Sequence, residues 1–200
     1  HAILISGNRG IGKRAFAAWL ATEHLDITTK YKGCIYPFAV PSHADLKWIR
    51  PNEGKRDISV DQIRQIIDDL TMSSYEGIGK VAVIEPANKM NISSANSLLK
   101  ILEEPPGNTL IILIADKMKN IPATIISRCQ HIKIYPPTED ESREFINHIH
   151  PDANIGKIDP YILVSPLIYE EQNNHSQNIE SIINDLMDML NKKNSPLDIA

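Results

Sequence analysis

Short apolar runs alternate with amphipathic stretches along most of this chain. Ala2 to Ser6, Val81 to Ile84 and Thr109 to Ala115 are continuous apolar runs of strand length, the pattern of strands buried on both faces. Thr109 to Ala115 is the most apolar of them and predicts a central strand. Leu46 to Arg50, closed by Pro51, and the alternating His131 to Tyr135 predict two more. Between the strands the period becomes helical. Phe16, Ala17, Trp19 and Leu20 mark one apolar helix face; Val60, Ile63, Ile66, Ile67 and Leu70 mark a second; Ala95, Leu98, Leu99 and Leu102 mark a third. Residues 26 to 45 lose periodicity and read as a loop.

Local punctuation supports these elements. Ser59-Val60-Asp61-Gln62 has the form of a capping box, in which hydroxyl and amide satisfy each other's backbone N–H. Asn91 or Ser93 can cap the third helix, and Pro105-Pro106-Gly107-Asn108 ends it. Pro122 suits the first turn of a short helix through Ile126. Strand and helix alternating in this way imply a parallel five-stranded sheet flanked by helices, an α/β fold. Beyond Pro136-Pro137 the strand signals fade. Glu139 to His150, Pro160 to Glu171 and Ile179 to Leu190 read as helices, the last with a stripe of Ile179, Ile182, Ile183, Leu186 and Leu190. The expected division is an α/β core over residues 1–136 and a small helical domain over 137–200.

Composition narrows the function classes. With 42% hydrophobic residues the chain can build a core, and a formal charge of −4 leaves no global basic footprint for nucleic acid. The two cysteines, Cys34 and Cys129, are too far apart in sequence to form a metal or redox motif and read as reduced thiols in a cytoplasmic protein. No apolar run approaches the length of a membrane span. The chain begins inside a strand pattern without Met, which suggests a piece of a longer protein.

Chemistry concentrates after the first strand. Gly7-Asn8-Arg9-Gly10-Ile11-Gly12-Lys13 has the spacing of a phosphate-binding P-loop and lies between strand and helix, where that loop works. Gly7, Gly10 and Gly12 let backbone N–H groups curl around phosphate, and Lys13 adds a point charge. The eighth position is wrong for hydrolysis: Arg14 stands where a Ser or Thr hydroxyl holds Mg²⁺. Ile84-Glu85-Pro86 offers one carboxylate and a proline where a base is needed. Ala115-Asp116 replaces a polar γ-phosphate sensor with a charge that repels a triphosphate. Three departures in one direction predict a loop that binds ATP or ADP weakly or not at all and does not hydrolyse it.

Further blocks carry a resemblance. Ile58-Ser59-Val60-Asp61-Gln62-Ile63-Arg64, Ile84-Glu85-Pro86-Ala87-Asn88-Lys89-Met90-Asn91, Ala95 through Leu98-Leu99-Lys100-Ile101-Leu102-Glu103-Glu104-Pro105-Pro106, and Ser127-Arg128-Cys129-Gln130 join the degenerate loop. Together they resemble the delta-prime subunits of the bacterial DNA polymerase III clamp loader, within the AAA+ family. The resemblance covers residues 1 to 137 strongly and the helical region more weakly. It implies a P-loop core truncated at its N-terminus, a three-helix lid over 137–200, and a collar domain absent from this sequence.

It also implies a non-hydrolysing stator that helps to load the sliding clamp in DNA replication. Arg128 is then an arginine finger acting in trans on a neighbour's ATP site, and Ser127 and Cys129 position it at the subunit interface. The implied partners are the motor (gamma/tau) and delta subunits, with the sliding clamp and primer-template DNA reached through the assembled complex. No cofactor is required, no intrinsic ATPase is expected, and any nucleotidyltransferase role is by association with the holoenzyme. The family's cysteine-rich zinc module is reduced here to Cys34, so no zinc is expected. In Val164-Ser165-Pro166-Leu167-Ile168, Ile168 or a near neighbour stands where a nucleotide-sensing arginine is expected.

Without the resemblance, Arg128 reads as a surface arginine or helix cap, Lys13 as a solvated helix-start lysine, and Glu85 as a strand-end partner. The alternative function is a self-sufficient AAA+ P-loop ATPase of another replication or remodelling complex. Stoichiometry, ring order and direct DNA contacts are not legible in the sequence.

Overall fold

The structure is a computed structural model that describes residues 1–27, 40–151 and 160–168. It divides into two compact units, His1–Pro136 and Pro137–Ala200. The first unit runs β1 (Ala2–Ser6), α1 (Lys13–His24), β2 (Leu46–Ile49), α2 (Val60–Thr71), β3 (Lys80–Ile84), α3 (Ile92–Glu103), β4 (Thr109–Ala115), α4 (Ala123–Ile126) and β5 (Gln130–Lys133), with short 3₁₀ turns at Ala87–Lys89 and Met118–Asn120.

All strand pairs are parallel, in the order β2-β3-β4-β1-β5. β4 is therefore central, flanked by β1 and β3, and all seven of its residues are buried. Residues alternate between two faces of the sheet. Leu4, Ala82, Ile84, Ile111 and Leu113 join Ile63, Ile66, Leu98 and Ile125 on one side. Ile5, Val81, Val83, Ile112 and Ile114 join Ala17, Ala21 and Leu25 on the other. Each fully buried Leu or Ile contributes roughly 1.5–3 kcal/mol relative to exposure, so the two layers hold the sheet from both sides.

The helix signals act as chemistry requires. Ser59 caps α2 in a reciprocal box with Gln62, with the Gln62 N–H donating to Ser59 Oγ at 3.2 Å and the Ser59 N–H to Gln62 Oε1 at 3.1 Å. Asn91, rather than Ser93, caps α3, accepting from the Ser94 N–H at 2.8 Å.

Four details differ from the sequence reading. Trp19, expected on the buried face of α1, is exposed and stacks on Phe16 with ring centroids 5.7 Å apart. Ala17 is buried as expected, joined by Ala18 and Ala21, and Phe16 and Leu20 pack partly buried against the same cluster; small residues let the helix lie close to the sheet, which leaves no room for an indole beneath it. β2 stops at Ile49. Pro122 is the N-cap of α4 rather than part of its first turn. β5 spans Gln130–Lys133 and is mostly exposed, because it is an edge strand with β1 on one side only.

In the second unit, α5 (Glu139–Ile149) begins in a capping box of Thr138 and Glu141. Glu141 is held below the ordinary carboxylate range by its hydrogen bonds from the Thr138 backbone and side chain. α6 (Pro160–Leu163) supplies Ile162 and Leu163, which are buried with Ile146. The expected helix over 179–190 and Cys34 lie outside the described residues.

Candidate functional site

The sheet order decides what meets the glycine-rich loop. Because β4 sits between β1 and β3, the carboxyl ends of these three strands bring together the loop, Glu85 and Asp116. Such ends are where parallel α/β sheets place their ligands. Gly7 must lack a side chain: a Cβ there would lie 2.4 Å from Ile134 O and 2.6 Å from Ile11 Cδ1. Gly10 and Gly12 have φ of 79° and 89°, and Gly12 is the N-cap of α1 with no side-chain cap. The backbone therefore has the left-handed turns of an anion-cradling loop.

Its charges are already paired. Lys13 is 5% exposed, and its ammonium lies 2.8 Å from Asp116 Oδ1 and donates to Asn8 O at 2.5 Å. The sequence reading gave Asp116 the role of repelling a triphosphate; the structure shows a more direct effect, since the carboxylate engages the cation a phosphate needs. The Asp116 N–H in turn donates to Asn88 Oδ1 at 3.1 Å.

Glu85, at the end of β3, is the hub of a second network. Arg14 Nε donates to Glu85 Oε1 at 2.8 Å, and the Arg14 NH2 group lies at the same distance from that oxygen. Trp48 Nε1–H and Arg50 Nε–H donate to Glu85 Oε2 at 2.8 and 3.0 Å. The Arg50 guanidinium also lies 5.8 Å from the centre of the Trp48 ring. A magnesium ion does not fit this donor set: the carboxylate that would ligate it holds two guanidinium groups and an indole N–H, and position 14 contributes a cation. Sequence reading missed Trp48 and Arg50 here. The Trp within the short strand Leu46–Ile49 was the available signal, but its partner is fixed by strand pairing.

Arg128 follows α4 and belongs to a separate cluster. Its Nε–H donates to Glu103 Oε1 at 2.7 Å, and its NH2 group lies 2.5 Å from the same oxygen. Its NH1 group donates to Thr124 O at 2.9 Å and Ser127 Oγ at 3.3 Å. The side chain remains one-third exposed. Cys129 packs against the larger core cluster, and burial pushes its thiol up to about 11. The structure thus brings Ser127 and Arg128 into hydrogen-bonding contact and turns Cys129 inward. Gly7, Gly10, Gly12 and Lys13 stand together in the loop. Ile168, in the second unit, is partly buried, and its N–H donates to Ser165 O at 2.9 Å.

A five-stranded parallel sheet in this order, with a glycine-rich loop between its first strand and first helix, defines an α/β protein of P-loop fold, the fold that AAA+ proteins share. Residues 1–138 match the model of the family described as DNA polymerase III, delta subunit. The chain belongs to that family. It is 33% identical to the DNA polymerase III subunit delta′ of Pseudomonas aeruginosa over 172 residues, covering 82% of this chain and 52% of the relative. It is also 33% identical to the DNA polymerase III subunit gamma of Buchnera aphidicola subsp. Schizaphis graminum over 153 residues, 74% of this chain and 42% of that one. Among solved structures, a DNA polymerase III gamma subunit-related protein from Thermotoga maritima superposes with a TM-score of 0.56 at 26% identity, covering 84% of this chain and 49% of that one. The chain spans about half the length of these relatives.

Proposed function

We propose that this chain is a non-hydrolysing subunit of a DNA polymerase III clamp loader, acting in DNA replication and lending Arg128 to the ATP site of a neighbouring motor subunit. The observation that carries this reading is the double pairing of Lys13 with Asp116 and Arg14 with Glu85. Both cations at the end of the loop are neutralised by the chain's own carboxylates, which disfavours catalysis in cis. Arg128 is paired as well, but its partner Glu103 is half exposed and no part of the loop, so a neighbour's phosphate can take the carboxylate's place. A guanidinium placed on a transferring phosphoryl group offsets the charge that develops as the bond breaks. The named relatives, delta′ and gamma subunits of DNA polymerase III, support membership of the same assembly. In this reading the partners are gamma/tau and delta subunits, the sliding clamp and primer-template DNA are reached through the complex, and no nucleotide is required by this chain.

The test uses the full-length subunit in the reconstituted loader. Arg128→Ala is expected to lower DNA-stimulated ATP turnover at the site it serves by about 10³-fold or more. Turnover equal to wild type overturns the finger assignment. Independently, ATP hydrolysis by this subunit alone that disappears in Lys13→Ala overturns the non-hydrolysing assignment in favour of a self-sufficient ATPase.

A further inference from the structure

Glu103 and Arg128 are presented by elements that hold their backbones still. Glu103 is the last residue of α3, where the Glu104 N–H still bonds to Lys100 O at 3.1 Å and Pro105-Pro106 prevents another turn. Arg128 closes the turn after α4, its N–H bonded to Ile125 O at 3.0 Å. Ile101 and Leu102 of α3 and Ile125 of α4 are buried in the same core cluster. The distance between the two side-chain origins is therefore set by the core, while the side chains lie at the surface.

The guanidinium uses its donors in an ordered way. The Nε and NH2 edge meets one oxygen, Glu103 Oε1, and the NH1 group meets Thr124 O and Ser127 Oγ. Nε and NH1 make three hydrogen bonds, and NH2 lies within ion-pair distance of the same carboxylate. A free arginine at a surface samples many rotamers, and a finger that must find a phosphate loses that freedom on docking. Here Glu103 removes it beforehand. Arg128 is one-third and Glu103 half exposed, so water screens the pair and it yields readily to a phosphate of higher charge.

We propose that Glu103 is a positioning residue for Arg128: it holds the guanidinium in place before a neighbouring nucleotide site closes on it, and releases an edge of it to phosphate. This rests on the reading of Arg128 as a finger acting in trans. Glu103 itself touches no nucleotide; its effect passes entirely through Arg128.

The experiment compares steady-state, DNA-stimulated ATPase of reconstituted loaders carrying full-length Glu103→Ala, Glu103→Gln, Arg128→Ala and the Glu103→Ala/Arg128→Ala double variant. Glu103→Ala is expected to lower kcat about three- to fivefold, the scale of an exposed ion pair, with KM for ATP unchanged. Glu103→Gln, which keeps an acceptor oxygen and the side-chain shape, is expected to lose less. In the Arg128→Ala background the Glu103 substitution is expected to have no further effect. Wild-type or faster turnover in Glu103→Ala, or the same fractional loss with Arg128 already absent, overturns the proposal while leaving the finger intact. If Arg128→Ala itself turns over normally, the finger reading fails and this one with it.

Discussion

The Lys13 ammonium lies 2.8 Å from the Asp116 carboxylate, so the cation of the phosphate loop is neutralised by the strand beside it. Lys13 is buried and Asp116 about one-third exposed, which makes the carboxylate the more readily replaced member. Asp116→Asn is expected to release Lys13 and raise the affinity of the chain for ATP about fivefold, the scale of one partly exposed pair. Titration with a fluorescent ATP analogue measures this. The gain is expected to vanish in Asp116→Asn/Lys13→Ala; an unchanged affinity in the single variant would show that the pair does not control access.

Glu85 predicts a stability effect. Truncating it removes the carboxylate that Arg14, Arg50 and the Trp48 indole N–H share and leaves two guanidinium groups near one another without it. Glu85→Ala is expected to cost about 2–3 kcal/mol, seen as a fall in melting temperature of roughly 4–12 °C for a chain of this size. Glu85→Gln keeps an acceptor but loses the charge, and is expected to fall between the two. A Glu85→Ala protein melting with wild type would show that the network contributes nothing net.

Two glycines of the loop should respond differently to the same substitution. Gly7→Ala puts a Cβ 2.4 Å from the Ile134 carbonyl oxygen, backbone that cannot move without disturbing β5. Gly12→Ala meets nothing within 4 Å but keeps φ at 89°. The second is expected to cost about 1–2 kcal/mol of backbone strain, and the first more than that. Denaturant unfolding of both variants gives the order; a Gly7→Ala protein as stable as Gly12→Ala contradicts the close approach.

Cys129 carries a pH prediction. Burial raises its thiol to about 11, so the folded protein keeps the protonated, unreactive form up to well above neutral pH, and reactivity grows only as pH approaches that value. In a Cys34→Ser background, alkylation of Cys129 by iodoacetamide at pH 8 is expected to be at least tenfold slower than in denaturant. Equal rates would mean an exposed thiol of ordinary acidity.

The capping box on α2 offers a local check. Ser59→Ala removes the Oγ acceptor for the Gln62 N–H, while the backbone N–H of residue 59 can still donate to Gln62 Oε1. The expected cost is about 1 kcal/mol, readable in the same unfolding experiment. No measurable cost would mean that water replaces the cap without loss.

Much of the fold was legible because its signals are local. The apolar runs that became β1, β3 and β4, the box at Ser59 and the proline stop after Glu104 each depend on residues a few positions apart. Trp19 shows the limit of that reading: helical spacing put it with Phe16, Ala17 and Leu20, and of these four the indole alone is exposed while Ala18 and Ala21 join Ala17 beneath the helix. Periodicity marks an apolar face, whereas the separation of helix and sheet decides which edge of it is covered. The loop was legible as a motif, and Arg14 and Pro86 showed its departures. Trp48 and Arg50 were not legible as partners of Glu85, because they come from the neighbouring β2 and the residue that follows it.

By itself the sequence determined the elements, the parallel α/β class and the residues able to carry charge at the loop and in Ser127-Arg128-Cys129, since propensity, capping and side-chain chemistry act at short range. Only the tertiary structure decided how those charges pair. With β4 placed between β1 and β3, Asp116 reaches Lys13 and Glu85 reaches Arg14; with α4 packed on α3, Glu103 reaches Arg128. An ion pair forms only between groups within a few ångströms of each other, and for residues far apart in the chain that distance is set by strand order and helix packing.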